Sequence, residues 1–180
     1  VKRSQLGLNL DERLAQDNLC RIVERAAQVR RFVRIDMEDS PVVDATLRAY
    51  RSLRDEHGLT NAGVVIQAYL YRSEADVKRL LETDTSIRLC KGAYAEPPDV
   101  AFPAKADTDA SYLHLSRMML DEQVLAREVH PAFATHDERM VQEIIAYTQK
   151  HQIPADAFEF QMLYGIRRDL QDALVRDGYT

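Results

Sequence analysis

The chain has 180 residues, of which 46% are hydrophobic, and its formal net charge is −5. This is enough chain to bury one hydrophobic core, and the interspersed acidic and basic residues exclude a protein built to coat nucleic-acid phosphates or anionic lipid. We therefore expect one domain over residues 1–180 that binds a small molecule and no nucleic acid.

Cysteine and histidine usage excludes further classes of protein. Cys20 and Cys90 lie far apart in apolar stretches, which is neither a disulfide framework nor a metal-ligand spacing. The five histidines form no pair at metal-ligand spacing, so no metal site is expected. No apolar run is long enough to span a membrane, and we expect a cytoplasmic protein with reduced thiols.

Six short apolar runs, each followed by a segment with helical spacing, are predicted as strands. In chain order they are VKRSQLG (1–7), RFVRIDM (31–37), GVVIQAYL (63–70), SIRLCKG (86–92), PAFATHD (131–137) and FEFQMLYG (158–165). Strand alternating with helix indicates βαβ units and a parallel sheet.

The helices between these runs carry recognisable ends. Ser40 with Pro41 opens one helix and Gly58 closes it, and Ser73 opens the next. Asp137 is expected to cap the helix after the fifth run. The apolar face of that helix is predicted to hold five residues: Met140, Val141, Ile144, Ile145 and Thr148.

Two architectures fit this alternation, an open doubly wound sheet and a (β/α)8 barrel. A barrel typically needs about 250 residues, so length favours the open sheet. Polar residues near the ends of most runs favour the barrel instead, because a barrel gathers all strand ends around one mouth. These strand-end residues are Asp36, Gln67, Lys91, Thr135, His136 and Gln161 to Tyr164.

The charged residues of the fourth run allow two interpretations. Arg88 lies inside an apolar strand, where a buried guanidinium needs an anion, and Asp36 could supply one in a purely structural pair. Lys91 could be a solvated lysine at the start of a loop, and His136, after the fifth run, could belong to a helix N-terminus.

A Rossmann fingerprint, a P-loop and a nucleophile elbow are all absent from the sequence. The residues alone thus indicate a barrel-like enzyme for a small, anionic ligand.

Five blocks, in this order, resemble proline dehydrogenase, closest to the bacterial monofunctional type: VRIDMEDS, VVIQAYL, RLCKGAY, FATHD and FEFQMLYGIR. The resemblance implies an α/β fold, a distorted (β/α)8 TIM-type barrel that holds FAD. It also implies oxidation of L-proline to Δ1-pyrroline-5-carboxylate, with hydride passing from proline C5 to flavin N5 and electrons going on to a quinone.

The resemblance also implies roles for individual residues. Asp36 and Arg88 match catalytic positions, with Arg88 near flavin N5. Four residues match substrate-binding positions: Lys2, Leu89, Tyr94 and Leu163. Seven match cofactor-binding positions: Met37, Gln67, Lys91, Gly92, Ala93, Thr135 and His136.

The chain also departs from the family pattern. We expect about six of the eight βα units, with the first strand and the eighth unit absent, and with them an arginine pair that clamps the proline carboxylate. Arg167 and Arg168 are not that pair, because they follow the sixth run. Arg3 occupies a position where an apolar residue is expected for a strand interior. These 180 residues alone are therefore expected to be inactive and to self-associate through exposed sheet edges.

Two other functions stay open. Lys91 could form a Schiff base with a carbonyl substrate in an aldolase-like lyase. Alternatively, the chain could be a catalytically inactive truncated barrel. If the chain is a proline dehydrogenase, we expect it in the cytoplasm. A peripheral position at the inner membrane is the alternative, because the expected electron acceptor is a quinone.

Overall fold

The computed structural model describes residues 1–127 and 129–180. These residues form two compact units, Val1–Val65 and Ile66–Thr180. The expectation of one domain over residues 1–180 stays a prediction, and the two units are described in turn.

Strands and helices alternate along the chain, as the sequence predicts. The strands are β1 (Val33–Ile35), β2 (Ala62–Gln67), β3 (Ile87–Cys90), β4 (Ala132–Ala134) and β5 (Glu159–Gln161). The helices are α1 (Glu12–Gln28), α2 (Val43–Asp55), α3 (Ser73–Leu81), α4 (Lys105–Met119), α5 (Glu122–Leu125), α6 (Glu138–Lys150) and α7 (Arg168–Arg176). Short 3-10 helices cover Ser4–Leu6, Ser40–Val42 and Ala155–Ala157. The strand order in the sheet is β1-β2-β3-β4-β5, which is the order of parallel βαβ units.

The Val1–Val65 unit contains α1, α2 and the pairing of β1 with β2. The Asp11 side chain caps α1 by accepting a hydrogen bond of 2.7 Å from Leu14 N. The buried face of α1 consists of Ala15, Leu19, Cys20 and Val23. In the parallel pair, Val33 lies opposite Ala62 and Ile35 opposite Val64.

The predicted strand over residues 1–7 is wrong. Val1 alone lies alongside β1, donating from its amino group to Arg34 O at 2.7 Å and accepting from Asp36 N at 2.8 Å. The chain then turns, because Arg3 is helical and Gly7 has φ of 103°, a left-handed conformation that glycine adopts without strain. Ser4 holds this turn in place through two hydrogen bonds to the Glu38 carboxylate, from its backbone N and its hydroxyl.

Arg3 is the most deeply buried charged side chain of this turn, with 1% of its surface exposed. Its three guanidinium nitrogens have no hydrogen-bond partner within residues 1–127 and 129–180. Burial lowers the pKa of Arg3, against the raising effect of Glu12 and Glu38 nearby. The position is therefore buried, as expected for the apolar residue of a strand interior, although the strand does not form and a cation occupies it.

In the Ile66–Thr180 unit, β3, β4 and β5 are parallel neighbours. Arg88 lies opposite Ala132, and Phe133 lies between Leu89 on one side and Phe160 on the other. The rings of Phe133 and Phe158 pack with centroids 5.9 Å apart in the core. Among the described residues, every helix is too short or too polar to cross a membrane.

The predicted helix ends are largely confirmed. Asp137 caps α6 by accepting from Arg139 N at 3.1 Å, and the five predicted core residues of α6 are its buried residues. Helix α3 begins at Ser73, as predicted, but the Ser73 hydroxyl donates to Gln67 O at 2.6 Å instead of capping the helix. The segment from Ser40 begins with a 3-10 turn before α2, and Gly58 follows α2 with φ of 66°.

Tyr69 and Gly92 meet just beyond the ends of β2 and β3. Backbone pairing continues past both strands, because Ala68 N donates to Cys90 O at 2.7 Å and Tyr69 N to Lys91 O at 2.9 Å. Gly92 has φ of 118°, and a Cβ at this position would lie 2.3 Å from Tyr69 Cδ1. The chain therefore needs glycine here, both for backbone conformation and for space under the Tyr69 ring.

We expect Gly92→Ala to lower the free energy of unfolding more than Gly165→Ala. Gly165 also has a positive φ, 82°, but nothing lies within 4 Å of its Cβ position. Backbone strain alone should cost about 1–3 kcal/mol at either position, and overlap with Tyr69 should add about 1–3 kcal/mol at Gly92 only. Chemical denaturation of both variants measures the difference, and equal losses would contradict the role given to Tyr69.

Candidate functional site at the strand ends

A network of four charged side chains lies beyond the end of β3. Lys91 Nζ donates to Asp109 Oδ1 at 2.5 Å and to Asp137 Oδ2 at 2.6 Å. Lys105 Nζ donates to the same two carboxylates, at 2.5 Å and 3.2 Å. We call these four residues the lysine-aspartate network. It links the end of β3 to α4, which carries Lys105 and Asp109, and to Asp137 at the start of α6.

The charges of the lysine-aspartate network balance. Hydrogen bonds from Lys91 lower the pKa of Asp137 to about 2, with Lys105 adding to the effect against the opposing influence of burial. Burial alone would raise the pKa of Asp109, but hydrogen bonds from Lys105 and Lys91 outweigh it, so that this pKa is lowered. Both aspartates are therefore carboxylates at neutral pH, and two ammonium groups neutralise them.

Each member of the network is placed by a local feature of the sequence. Lys105 and Asp109 are four residues apart on α4 and so lie on one face of that helix. Asp137 uses its Oδ1 to cap α6, while its Oδ2 accepts from the two lysines. Of these four residues, Lys91 was predicted as a site residue and Asp137 only as a helix N-cap, whereas Lys105 and Asp109 were not predicted. The four-residue spacing in KADTD was the one signal available, and such spacing is common on exposed helices.

Arg88 projects from β3 and is half buried. Its Nη1 donates to Gln161 Oε1 at 3.4 Å, and Gln161 Nε2 in turn donates to Glu159 Oε1. The proposed catalytic arginine is therefore held toward the end of β5 by an amide that is itself oriented by a carboxylate.

Thr135 and His136 follow β4 with different exposure. Thr135 is buried, and its hydroxyl oxygen accepts from Asp137 N at 3.1 Å. His136 Nε2 accepts from Leu163 N at 2.9 Å, so the neutral ring carries its proton on Nδ1. This contact ties the end of β4 to the segment after β5, where Leu163 keeps 68% of its surface exposed.

Gln67, the last residue of β2, carries an unusual buried acceptor. The residue is 3% exposed, and its side-chain Oε1 has no hydrogen-bond partner among residues 1–127 and 129–180. A buried amide oxygen of this kind costs free energy unless a donor reaches it. A cofactor with an N–H group would supply that donor, so Gln67 fits the flavin-contacting position that the resemblance implies.

The remaining predicted residues of this unit differ in accessibility. Leu89 is fully buried in the core, whereas Tyr94 is 36% exposed. Gly92 is half buried and Ala93 is exposed. Tyr94 and Leu163 are thus accessible apolar side chains beyond strand ends, and Leu89 lies beneath the surface.

The other unit holds Lys2, Asp36 and Met37. Asp36 follows β1 and is half buried, and Met37 is 4% exposed. The backbone on either side of Lys2 is tied to this segment, through Val1 to Asp36 N and through Ser4 to Glu38. Lys2 therefore keeps a defined position beside the end of β1, although the strand predicted for it does not form.

Comparison with known proteins identifies the family. The family model described as proline dehydrogenase matches residues 1–180. A proline dehydrogenase of Deinococcus radiodurans is 43% identical over 182 residues, which cover 99% of this chain and 57% of that protein. Proline dehydrogenase 1 of Bacillus subtilis is 42% identical over 183 residues, with the same coverage of each chain. The chain thus spans little more than half the length of these relatives.

Solved structures show the same fold. Proline utilization A from Bdellovibrio bacteriovorus, inactivated by N-propargylglycine, superposes with a TM-score of 0.87 at 31% identity, over 99% of this chain and 21% of that one. Proline utilization A from Bradyrhizobium japonicum superposes with a TM-score of 0.81 at 24% identity, over 99% of this chain and 20% of that one. The expected α/β fold of the TIM-barrel type is confirmed, and residues 1–127 and 129–180 contain a sheet of five strands instead of the six predicted.

The lysine-aspartate network should make stability depend on pH below 4. Because the pKa of Asp137 is depressed to about 2 when folded, its contribution is complete above the ordinary aspartate pKa and is lost as the pH falls toward 2. We expect a loss of about 1–2 kcal/mol from Asp137, after allowance for the exposure of Lys105.

Asp137→Asn tests this expectation, because asparagine still caps a helix but carries no charge. The variant should lose stability at neutral pH and show a shallower decline between pH 4 and pH 2 than the parent. Asp121→Asn, which alters the N-cap of α5, is the matched control and should keep the parental slope. Urea unfolding across this pH range gives both values, and identical slopes for Asp137→Asn and the parent would refute the assignment.

Proposed function

The chain belongs to the proline dehydrogenase family, and on that premise we propose that the protein oxidises L-proline to Δ1-pyrroline-5-carboxylate. FAD is the proposed cofactor and supplies the hydride acceptor when bound, and a quinone is the proposed electron acceptor. The unpartnered, buried amide oxygen of Gln67 carries the proposal for the cofactor, because it is an acceptor in need of a donor.

The proposed cofactor contacts combine fixed donors and acceptors at strand ends. Gln67 Oε1 accepts from an N–H of the flavin ring, and His136 offers the Nδ1 proton that its contact with Leu163 N leaves available. Lys91 donates two of its three N–H groups to Asp109 and Asp137, so the third could donate to a cofactor oxygen. Thr135, Met37, Gly92 and Ala93 complete the proposed contacts.

Lys91 then acts in a different way from an isolated cation. Its charge is already neutralised by two carboxylates, so the attraction it exerts on a phosphate group is smaller than that of a solvated lysine. Its proposed contribution is to position the backbone, because the network would hold residues 91–93 in place beside the cofactor. Preorganisation of this kind lowers the cost of binding.

Arg88 is the proposed electrostatic catalyst. FAD, when bound, would accept the hydride and gain negative charge, and Arg88 would supply a fixed cation that stabilises that charge. The hydrogen bond from Arg88 to Gln161 limits the motion of the guanidinium. Asp36, at the end of β1, is proposed as the second catalytic group.

The substrate contacts are proposed for Lys2, Leu89, Tyr94 and Leu163. Tyr94 and Leu163 expose apolar surface that a proline ring could cover, and Lys2 offers a cation for the carboxylate. Leu89 is completely buried and would support the wall of the pocket from behind.

The Schiff-base alternative is weaker on chemical grounds. Both hydrogen bonds of Lys91 are donated by its ammonium group, which has no lone pair for attack on a carbonyl carbon. A lyase that used Lys91 would first have to disrupt two ion pairs. This contact pattern favours the oxidoreductase, and borohydride trapping of a carbonyl ligand on Lys91 would reverse that preference.

We expect variants at Gln67 and Asp36 to separate cofactor binding from turnover. Gln67→Leu preserves volume but removes the acceptor, and it should weaken FAD binding about tenfold, the value of one buried hydrogen bond. His136→Ala should also lower flavin content. Asp36→Ala should retain flavin while proline oxidation falls.

Gln149→Ala is the matched control, because Gln149 is exposed on α6. Flavin absorbance per polypeptide and proline-dependent reduction of an acceptor dye measure the two effects in the purified full-length protein. Equal flavin content in all four variants would contradict the roles of Gln67 and His136. Loss of flavin from Asp36→Ala would contradict its assignment to catalysis.

Replacement of Arg88 tests the electrostatic role. Arg88→Met keeps an unbranched side chain in β3 but removes the charge, and we expect a loss of about 2 to 4 kcal/mol of transition-state stabilisation in kcat. Arg79→Met, on the exposed face of α3, should leave kcat unchanged. With flavin content equal to that of the parent, an unchanged kcat for Arg88→Met would remove Arg88 from the mechanism.

A further inference from the structure

Three side chains with metal-binding chemistry converge in the Val1–Val65 unit, and none of them is among the residues assigned above. They are Cys20, Glu24 and His57, and one ligand atom from each lies within 4.8 Å of the other two. Cys20 is buried, whereas Glu24 and His57 are exposed. The proposal that follows does not depend on the proposed function.

The fold explains how residues so distant in sequence meet. Cys20 and Glu24 are one turn apart on α1, and the Cys20 thiol lies 3.6 Å from Glu24 Oε1. His57 follows the end of α2, where its backbone N donates to Ser52 O at 3.3 Å and Gly58 N donates to Arg54 O at 3.1 Å. Helix α1 therefore positions Cys20 and Glu24, and the hydrogen-bonded turn after α2 positions the backbone of His57.

We propose that Cys20, Glu24 and His57 bind one zinc ion, with a water molecule as the fourth ligand. A thiolate, an imidazole and a carboxylate are the three ligand types that zinc uses in proteins. In a tetrahedral site the ligand atoms are about 3.5 Å apart. The present separations are close to that distance, with 3.6 Å between Cys20 Sγ and Glu24 Oε1 and at most 4.8 Å within the group.

The local electrostatics favour a cation. The Cys20 thiol lies 3.6 Å from Glu24 Oε1, so a cation at this position would be attracted by the carboxylate and by the thiolate that forms on binding. Zinc binding replaces the thiol proton, which leaves to solvent, and the cation then offsets the negative charge of Glu24 and the thiolate.

The spacing of cysteines and histidines along the sequence does not reveal this group. Cys20 and Cys90 are too far apart, and the histidines are scattered. The cysteine and glutamate on one helical face are a weak signal alone, and the histidine joins them only through the packing of α1 and α2.

Zinc in this position would hold α1 against the segment after α2. A ligand that binds only the folded state stabilises it in proportion to the logarithm of its concentration above the dissociation constant. The melting temperature should therefore rise with zinc concentration in the parent protein and not in variants that lack a ligand.

The test uses zinc titration calorimetry and the absorption spectrum of the cobalt-substituted protein, both on purified full-length protein stripped of metal. We expect one equivalent of zinc and, with Co²⁺, a thiolate-to-metal charge-transfer band. Cys20→Ala should remove that band, and Glu24→Gln and His57→Gln should each weaken zinc binding at least tenfold. Cys90→Ser and His151→Gln are the matched controls and should bind zinc as the parent does.

Each outcome decides the proposal. Loss of the charge-transfer band in Cys20→Ala supports the proposal, provided that Cys90→Ser and His151→Gln bind zinc as tightly as the parent. Absence of zinc heat and of the cobalt band in the parent overturns it, as does binding that survives all three ligand variants or that disappears in Cys90→Ser. Should Cys20→Ala fail to fold by circular dichroism, His57→Gln decides the question, because His57 is exposed and its removal leaves the core intact.

Discussion

The ammonium group of Lys91, held between the carboxylates of Asp109 and Asp137, is the interaction on which the candidate site depends. It fixes the end of β3 to α4 and to the N-terminus of α6 at distances of 2.5 and 2.6 Å. Asp109 is almost fully buried, and such a carboxylate is costly unless cations and hydrogen bonds compensate for its lost hydration. With these ion pairs formed, the segment that follows β3 has few alternative positions.

Nearby packing reinforces this constraint. The Tyr69 ring lies against the Gly92 backbone, and the pairing of β2 with β3 continues through Tyr69 N to Lys91 O. Burial raises the pKa of Tyr69 to about 12, with a contribution from Glu96, so its hydroxyl stays protonated. These contacts hold the segment after β3, and the buried Gln67 Oε1 has no hydrogen-bond partner among residues 1–127 and 129–180; both features agree with the proposed cofactor site.

The sequence predicted five of the strands and the α/β class because each strand is a short apolar run bounded by turn residues. It failed for residues 1–7, where VKRSQLG was predicted as a strand because a segment with helical spacing follows it. There the left-handed conformation of Gly7 and the hydrogen bonds of Ser4 to Glu38 favour a turn. Neither feature is visible in the local sequence pattern. Arg3 broke the apolar pattern of that run, yet its position is buried.

The candidate site was predictable in part for the same reason. Polar residues at strand ends, such as Gln67 and Lys91, are visible in the sequence because they interrupt apolar runs. Their partners are not, since Asp109 belongs to a helix that looks ordinary, and its contact with Lys91 arises only when α4 packs beside β3. The proposed roles of Arg88 and Asp36 come from family resemblance. The sequence pattern alone allowed either a structural ion pair or two catalytic residues.

The direct test of the central constraint is a double-mutant cycle between Lys91 and Asp137, measured as free energies of unfolding at neutral pH. Lys91→Met and Asp137→Asn are made singly and together, with Lys78→Met and Asp137→Asn as the parallel cycle for a lysine outside the network. A coupling of about 1–3 kcal/mol is expected for Lys91 with Asp137, and additivity within about 0.5 kcal/mol for Lys78. Additive losses in the Lys91 cycle would contradict the claim that this ion pair holds the strand end in place.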